Sequence, residues 1–139
     1  MTAHPIHPAL VHFPLGLLLS STIADLGQLA GLWSEPRFAA LLMAAGLAGG
    51  LAAMAAGLYD FTRLEDPVVP HALRHMAAVS LAWVGYAVAL YLRRDTLAGE
   101  PLPSVASLAI AFASAAVLVL GGWLGGELVY RYGAGRIGR

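Results

Sequence analysis

Apolar residues dominate four long stretches of this chain, and polar residues are concentrated in the segments between them. The stretches run from about residue 9 to 32, 38 to 59, 72 to 92 and 105 to 130. Each provides the roughly 20 apolar residues that a transmembrane helix requires. Aromatic residues stand at their ends, as interfacial side chains do: Trp33, Tyr59, Tyr91 and Tyr130. The pattern predicts an all-α integral membrane four-helix bundle that forms one domain.

Composition supports this class of protein over the alternative, a soluble bundle of buried helices. The 139 residues are 59% hydrophobic and 12% charged, whereas soluble domains carry about 25% charged residues, and the four stretches lack a polar face. All eight basic residues are arginines, balanced by eight acidic ones, which excludes the basic patch of a nucleic-acid-binding protein. The first stretch has no basic residue before it, unlike a signal peptide. We therefore expect a multi-pass protein of a prokaryotic plasma (inner) membrane, with the lipid bilayer as a partner.

Four spans would place both termini and the central loop on one side of the membrane, here called the termini side. All five histidines fall on that side: His4, His7 and His12 at the start of the first span, and His71 and His75 at the start of the third. Five arginines flank the spans on the termini side and three on the other, which leaves the orientation open. Intramembrane ionisable groups are candidate functional residues, so the histidines are the first candidates.

Depth and helical phase indicate which histidines can meet. At 1.5 Å per residue, His12 lies about 5 Å into the first span and His75 about 6 Å into the third. His71 and His75 share one helix face, because they are spaced i, i+4. Gly16 lies one turn beyond His12 and leaves space there. Small residues recur in the second and fourth spans and predict close helix packing: Gly46, Gly50, Ala53 and Gly57, then Gly121, Gly122, Gly125 and Gly126.

Three motifs resemble those of a family of small bacterial four-helix membrane proteins of unknown function. They are the opening HPIHPALVHFPLGLLL, the AGLYDF that ends the second span and the GGWLGGELVYRYG that ends the fourth. Related domains are fused to Rieske or cytochrome c modules, so the resemblance implies a redox setting. It covers nearly the whole chain, and by motif position it carries over His4, His7, His12, Asp60, Gly125, Gly126, Glu127 and Tyr130.

The first functional hypothesis is a b-type haem held by histidines of different helices. His12 with His75 is the favoured pair, and His7 and His71 are the alternates or a second pair. Gly16 would make room for the ring, and Arg74 would pair with a propionate. The role would be electron transfer with a redox partner protein or a quinone, and a homodimer would help to enclose the ring.

Two further hypotheses remain open. Imidazoles also suit copper, zinc or iron, and carboxylates can complete such a site. Its candidate ligands are His4, His7, His12, His71, His75, Asp60 and Glu127. Alternatively, the chain is a structural or partner-binding membrane subunit without a cofactor, in which the histidines cap helices or bind lipid headgroups. No hydrolase motif is present, and the sequence does not decide whether the protein is an enzyme.

Two charged positions remain on the side opposite the histidines. Asp25 lies deep in the first span, where we expect structural pairing with Ser20, Ser21, Thr22 or Gln28 rather than a role in proton transfer. Arg93 and Arg94 close the third span, and their position is typical of an interfacial anchor.

Overall fold

The computed structural model describes residues 6–98 and 102–134, and these residues contain five helices and no strand. The helices are α1 (Ile6–Leu29), α2 (Pro36–Phe61), α3 (Val69–Leu92), the short α4 (Arg94–Leu97) and α5 (Val105–Tyr130). Four of them, all except α4, are long and apolar enough to cross a membrane. The predicted fold class is therefore confirmed. Compared with the predicted spans, α1 begins and ends slightly earlier, α2 and α3 are slightly longer, and α5 has the predicted bounds.

Local sequence signals set the ends of these helices. Gly31 adopts a positive φ of 72° just beyond α1, a conformation in which glycine avoids the penalty of a Cβ atom. The Glu35 side chain accepts a hydrogen bond from the Arg37 amide at the start of α2, where Pro36 is the first helical residue. The Ser104 hydroxyl accepts from the Ser107 amide in the same way and caps α5.

The long helices form two hairpins, α1 with α2 and α3 with α5, and packing is closest within each hairpin. Small residues allow this approach: a Cβ atom at Gly46 would lie 2.8 Å from the Leu18 side chain, and one at Gly121 would lie 2.8 Å from Val79. The predicted close packing is thus observed at Gly46, Gly50, Gly57, Gly121 and Gly125, whereas a Cβ atom at Gly122 or Gly126 would meet nothing within 4 Å. Between the hairpins lies a core centred on the buried Leu18, Met43, Leu47, Ala82, Tyr86, Ala89, Ala111 and Leu118.

The outer surface of the bundle is apolar. Phe13 is 64% exposed, Leu81 63% and Val105 83%, which suits contact with acyl chains rather than water. The starts of α1 and α3 and the ends of α2 and α5 meet at one end of the bundle, because His7 contacts Ala53 and His75 contacts Gly121. The first and last described residues therefore lie at the same end, the termini side.

Candidate histidine site

His7 and His75 face each other across the two hairpins. Their ring centroids are 6.4 Å apart, and the ring planes are nearly perpendicular, at 75°. His7 lies on the first turn of α1 and His75 on the second turn of α3, and both side chains are half-buried. The structure thus brings together two imidazoles from opposite halves of the chain.

Each imidazole is oriented by a main-chain carbonyl of its own hairpin. Nδ1 of His7 donates to the Ala53 carbonyl oxygen over 2.7 Å, and Nδ1 of His75 donates to the Gly121 carbonyl oxygen over 2.8 Å. Because a carbonyl oxygen only accepts, Nδ1 must carry the hydrogen in both rings. In the neutral imidazole, Nε2 then keeps its lone pair. Both histidines therefore keep Nε2, an atom that can bind a metal ion, free of the hydrogen bonds that the described part of each hairpin makes to Nδ1.

Two glycines provide the space that the rings occupy. A Cβ atom at Gly57 would lie 3.0 Å from both Cε1 and Nδ1 of His7, and one at Gly125 would lie 3.0 Å from Cε1 of His75. These distances are shorter than ordinary van der Waals contact between a Cβ and a ring. Alanine at either position would therefore push an imidazole away from its carbonyl.

The site follows an internal repeat that relates the two hairpins. Each residue of the site in the first hairpin has a counterpart in the second at one constant offset along the sequence. The pairs at this offset are His7 with His75, Ala53 with Gly121, and Gly57 with Gly125. Since α1 and α3 run in the same direction, the repeat is of the parallel kind, with its axis along the membrane normal. The histidine site lies between equivalent positions of the two halves.

The other residues that were expected to hold haem do not join the His7–His75 pair. His12 is exposed on α1, and a Cβ atom at Gly16 would meet nothing within 4 Å. The ring brought next to His75 is thus that of His7, the expected alternate, and not that of His12. His71 stacks on Tyr132 with 4.1 Å between the ring centroids, so the expected second pair of His7 with His71 is not formed. Arg74 is exposed at the start of α3.

Among the described residues, the expected convergence of histidines and carboxylates is not observed. Glu127 pairs with Arg131, with 3.4 Å between the charged atoms, and Asp60 is half-buried at the end of α2. Within residues 6–98 and 102–134, no group of three or more His, Cys, Asp or Glu side chains is arranged to hold a metal ion. His4 lies outside the described residues.

A second polar cluster lies at the opposite end of the bundle, where side chains from α1 and from the end of α3 meet across its centre. Arg93 Nη1 donates to both carboxylate oxygens of Asp25, over 2.8 and 3.0 Å, and Arg93 Nε donates to the Ser107 hydroxyl over 2.9 Å. Both charged side chains are completely buried. The interpretation of Arg93 as an interfacial anchor was therefore wrong, whereas Arg94 is exposed as expected.

Asp25 is paired structurally, as expected, but its partner is Arg93 and not one of the nearby polar side chains of α1. Ser21 instead donates to the Leu18 carbonyl oxygen, and the Thr22 hydroxyl shares a 2.8 Å hydrogen bond with the hydroxyl of Tyr86.

The sequence contains a signal that predicts both clusters. Asp25 lies about five full turns of α-helix beyond His7, and Arg93 lies equally far beyond His75. The polar residues therefore form one stripe on α1 and an equivalent stripe on α3. Asp25 and Arg93 are separated by 68 residues, which is the offset of the repeat. A search for an internal repeat would have paired His7 with His75 and Asp25 with Arg93.

The fold and the two polar clusters define a class of protein. It is a multi-pass membrane protein built from two equivalent helical hairpins, with histidines facing each other on the termini side. The model of the family described as "Predicted membrane protein (DUF2231)" matches residues 3–138. The chain belongs to this family. Comparisons with curated proteins and with solved structures found no match.

Proposed function

We propose that this membrane protein binds a b-type haem through His7 and His75 and that it serves in electron transfer. The observation that carries the proposal is the separation of the two rings. A metal ion bound by two imidazoles on opposite sides lies about 2.0–2.1 Å from each nitrogen, which sets the ring centroids roughly 6.3 Å apart. The separation of 6.4 Å between His7 and His75 agrees with this value.

The number of protein side chains available as metal ligands favours haem over a small metal ion. Haem iron already has four porphyrin nitrogens and needs one or two axial ligands from the protein. Zinc sites, by comparison, use three or four protein ligands. The described residues bring two imidazoles together and no larger group. Two facing histidines are therefore a complete ligand set for haem and an incomplete one for zinc.

The hydrogen bonds of the site also suit ligation. Histidines that bind metals almost always donate their other ring N–H to a carbonyl or carboxylate, which fixes the tautomer and makes the free nitrogen more basic. His7 and His75 both do this through Nδ1. If both imidazoles held the haem iron, no coordination position would remain for a substrate, and the group would supply the exchange of single electrons.

The test is the optical spectrum of the full-length protein, purified in detergent from cells with an adequate haem supply. We expect a Soret band, a sharp α band on reduction and about one haem per chain, since both ligands belong to the same chain. Asparagine can retain a donor near the Nδ1 position but has no nitrogen at the Nε2 position. His7→Asn and His75→Asn should therefore fold yet lose the α band.

The matched control is His12→Asn, since His12 is exposed on the same helix as His7. This variant should keep the spectrum of the wild type. Two results would overturn the proposal. One is a colourless protein despite sufficient haem, and the other is a near-stoichiometric content of copper, zinc or non-haem iron that is lost in His75→Asn.

A further inference from the structure

The two hairpins are built alike, which creates an ambiguity during assembly. Each pairs a helix of 24 residues with one of 26, and the two share a histidine and a glycine at equivalent places. Their other facing residues differ, as Leu18 and Tyr86 do, but a second copy of the first hairpin still offers the same helical framework. Exchange of equivalent elements between copies is a common route to unwanted dimers, so the correct pairing needs a feature that differs between the hairpins.

Asp25 and Arg93 are the charged part of this difference. They occupy equivalent positions of the repeat but carry opposite charges and face each other across the interface. When the first hairpin packs on the second, aspartate meets arginine. When a hairpin packs on another copy of itself, aspartate meets aspartate or arginine meets arginine. Inside the bundle, where both side chains are completely buried, two like charges without a counter-ion are far more costly than an oppositely charged pair.

The geometry shows that this contact is specific. Arg93 Nη1 reaches both oxygens of Asp25, and Nε reaches Ser107 on α5. The Ser107 hydroxyl in turn donates to the Ala89 carbonyl oxygen over 2.8 Å, which ties α5 to α3. The residue equivalent to Ser107 in the first hairpin is Ala39. Only the second hairpin therefore has the hydroxyl that positions the guanidinium.

Stability by itself does not account for the pair. Replacing a buried ion pair by apolar residues is often neutral or stabilising, because desolvation offsets the attraction between the charges. Here, moreover, Arg93 Nη2 is buried and has no hydrogen-bond partner among the described residues. A role in partner choice, as for single polar residues in coiled coils, explains why so costly a group is buried.

We propose that Asp25 and Arg93 select the partner of each hairpin: they direct the first hairpin to the second and exclude pairing of like hairpins from two chains. The selection also places His7 opposite His75. These histidines lie about 27 Å from Asp25 and Arg93 along the helices, at 1.5 Å per residue. The inference does not depend on haem, and its test has no haem readout.

The experiment uses full-length chains with two different affinity tags, coexpressed and purified through one tag. D25R chains carry arginine at both positions, and R93D chains carry aspartate at both. When the two variants are expressed together, the first hairpin of each chain can pack on the second hairpin of the other chain, so that arginine faces aspartate in both bundles. The segment 62–68 still connects the two hairpins of each chain. We expect the second tag to be recovered at more than about tenfold the wild-type background. The reversed pair D25R/R93D in one chain should return recovery to that background.

Two further variants separate partner selection from simple stabilisation. D25N/R93Q removes both charges, and we expect a folded protein whose differently tagged copies copurify more than wild-type copies do. R94D is the control, because Arg94 is adjacent in sequence but exposed, and it should behave as wild type. Background recovery for the D25R and R93D mixture, or for folded D25N/R93Q, would overturn the proposal.

Discussion

At the scale of the residue, the functional arrangement depends on which nitrogen of each histidine the bundle uses. The carbonyls of Ala53 and Gly121 take the Nδ1 hydrogens of His7 and His75, so each Nε2 is left with its lone pair. Glycine is required beside each ring for steric reasons, not for backbone conformation, because Gly57 and Gly125 lie within regular helices.

This steric role can be tested with two neighbouring glycines of α5. Gly125→Ala would place a Cβ atom 3.0 Å from His75 Cε1, whereas Gly122→Ala would meet nothing within 4 Å. We expect Gly125→Ala to lower the free energy of unfolding by about 1–3 kcal/mol through overpacking. Gly122→Ala should be neutral or stabilising by up to about 1 kcal/mol, the gain in helix propensity.

Reversible unfolding in mixed micelles would measure both changes. If Gly125→Ala proved as stable as Gly122→Ala, the imidazole of His75 would not be confined by this helix as the structure indicates.

At the scale of the element, each hairpin is tightly packed, and fewer contacts close one hairpin on the other. Trp83 makes one of these contacts from α3. Its ring packs on Gly50 of α2, where a Cβ atom would lie 2.8 Å from Cδ1, and its Nε1 donates to the Leu47 carbonyl oxygen over 3.0 Å. The equivalent residue of α1 in the repeat is Leu15, which has no such donor. The two sides of the bundle are therefore closed differently.

Trp83→Phe tests this contact, because it keeps a large aromatic ring and removes the N–H group. We expect a loss of about 0.5–1.5 kcal/mol in the free energy of unfolding, the usual net value of a hydrogen bond. Trp123, which is 61% exposed, provides the control: Trp123→Phe should change stability by less than about 0.5 kcal/mol. Equal effects of the two substitutions would contradict a bridging role for Trp83.

At the scale of the whole molecule, side chains of α1 and α3 meet across the centre of the bundle at both of its ends, and the Thr22–Tyr86 hydrogen bond lies between these contacts in a mainly apolar core. His7 and His75 meet on the termini side, and Asp25 and Arg93 meet on the other. Polar groups within a membrane are costly unless they are paired, so the two contacts constrain the register of the hairpins from both ends. The resulting topology places the loops before α2 and before α5 on the same side.

The topology can be tested with single cysteines, because the chain contains none. Glu35→Cys and Asp95→Cys lie in or near the loops opposite the termini, and Glu65→Cys lies in the loop on the termini side; all three positions are exposed. In sealed vesicles, a membrane-impermeant maleimide should label the first two variants together and the third from the other face. Labelling of Glu35→Cys and Glu65→Cys from the same face would refute the four-span arrangement.

The sequence by itself determined the helices, because hydropathy and capping are local properties: Val105–Tyr130 has the predicted bounds, and all described histidines lie on the predicted side. It did not determine which side chains turn inward. His7 and His12 lie about 7.5 Å apart along α1 and about 140° apart around it. Arg93 and Arg94 are neighbours where α3 ends and α4 begins. Only packing of one hairpin on the other sets this rotation, so the tertiary structure selected His7 over His12 and Arg93 over Arg94.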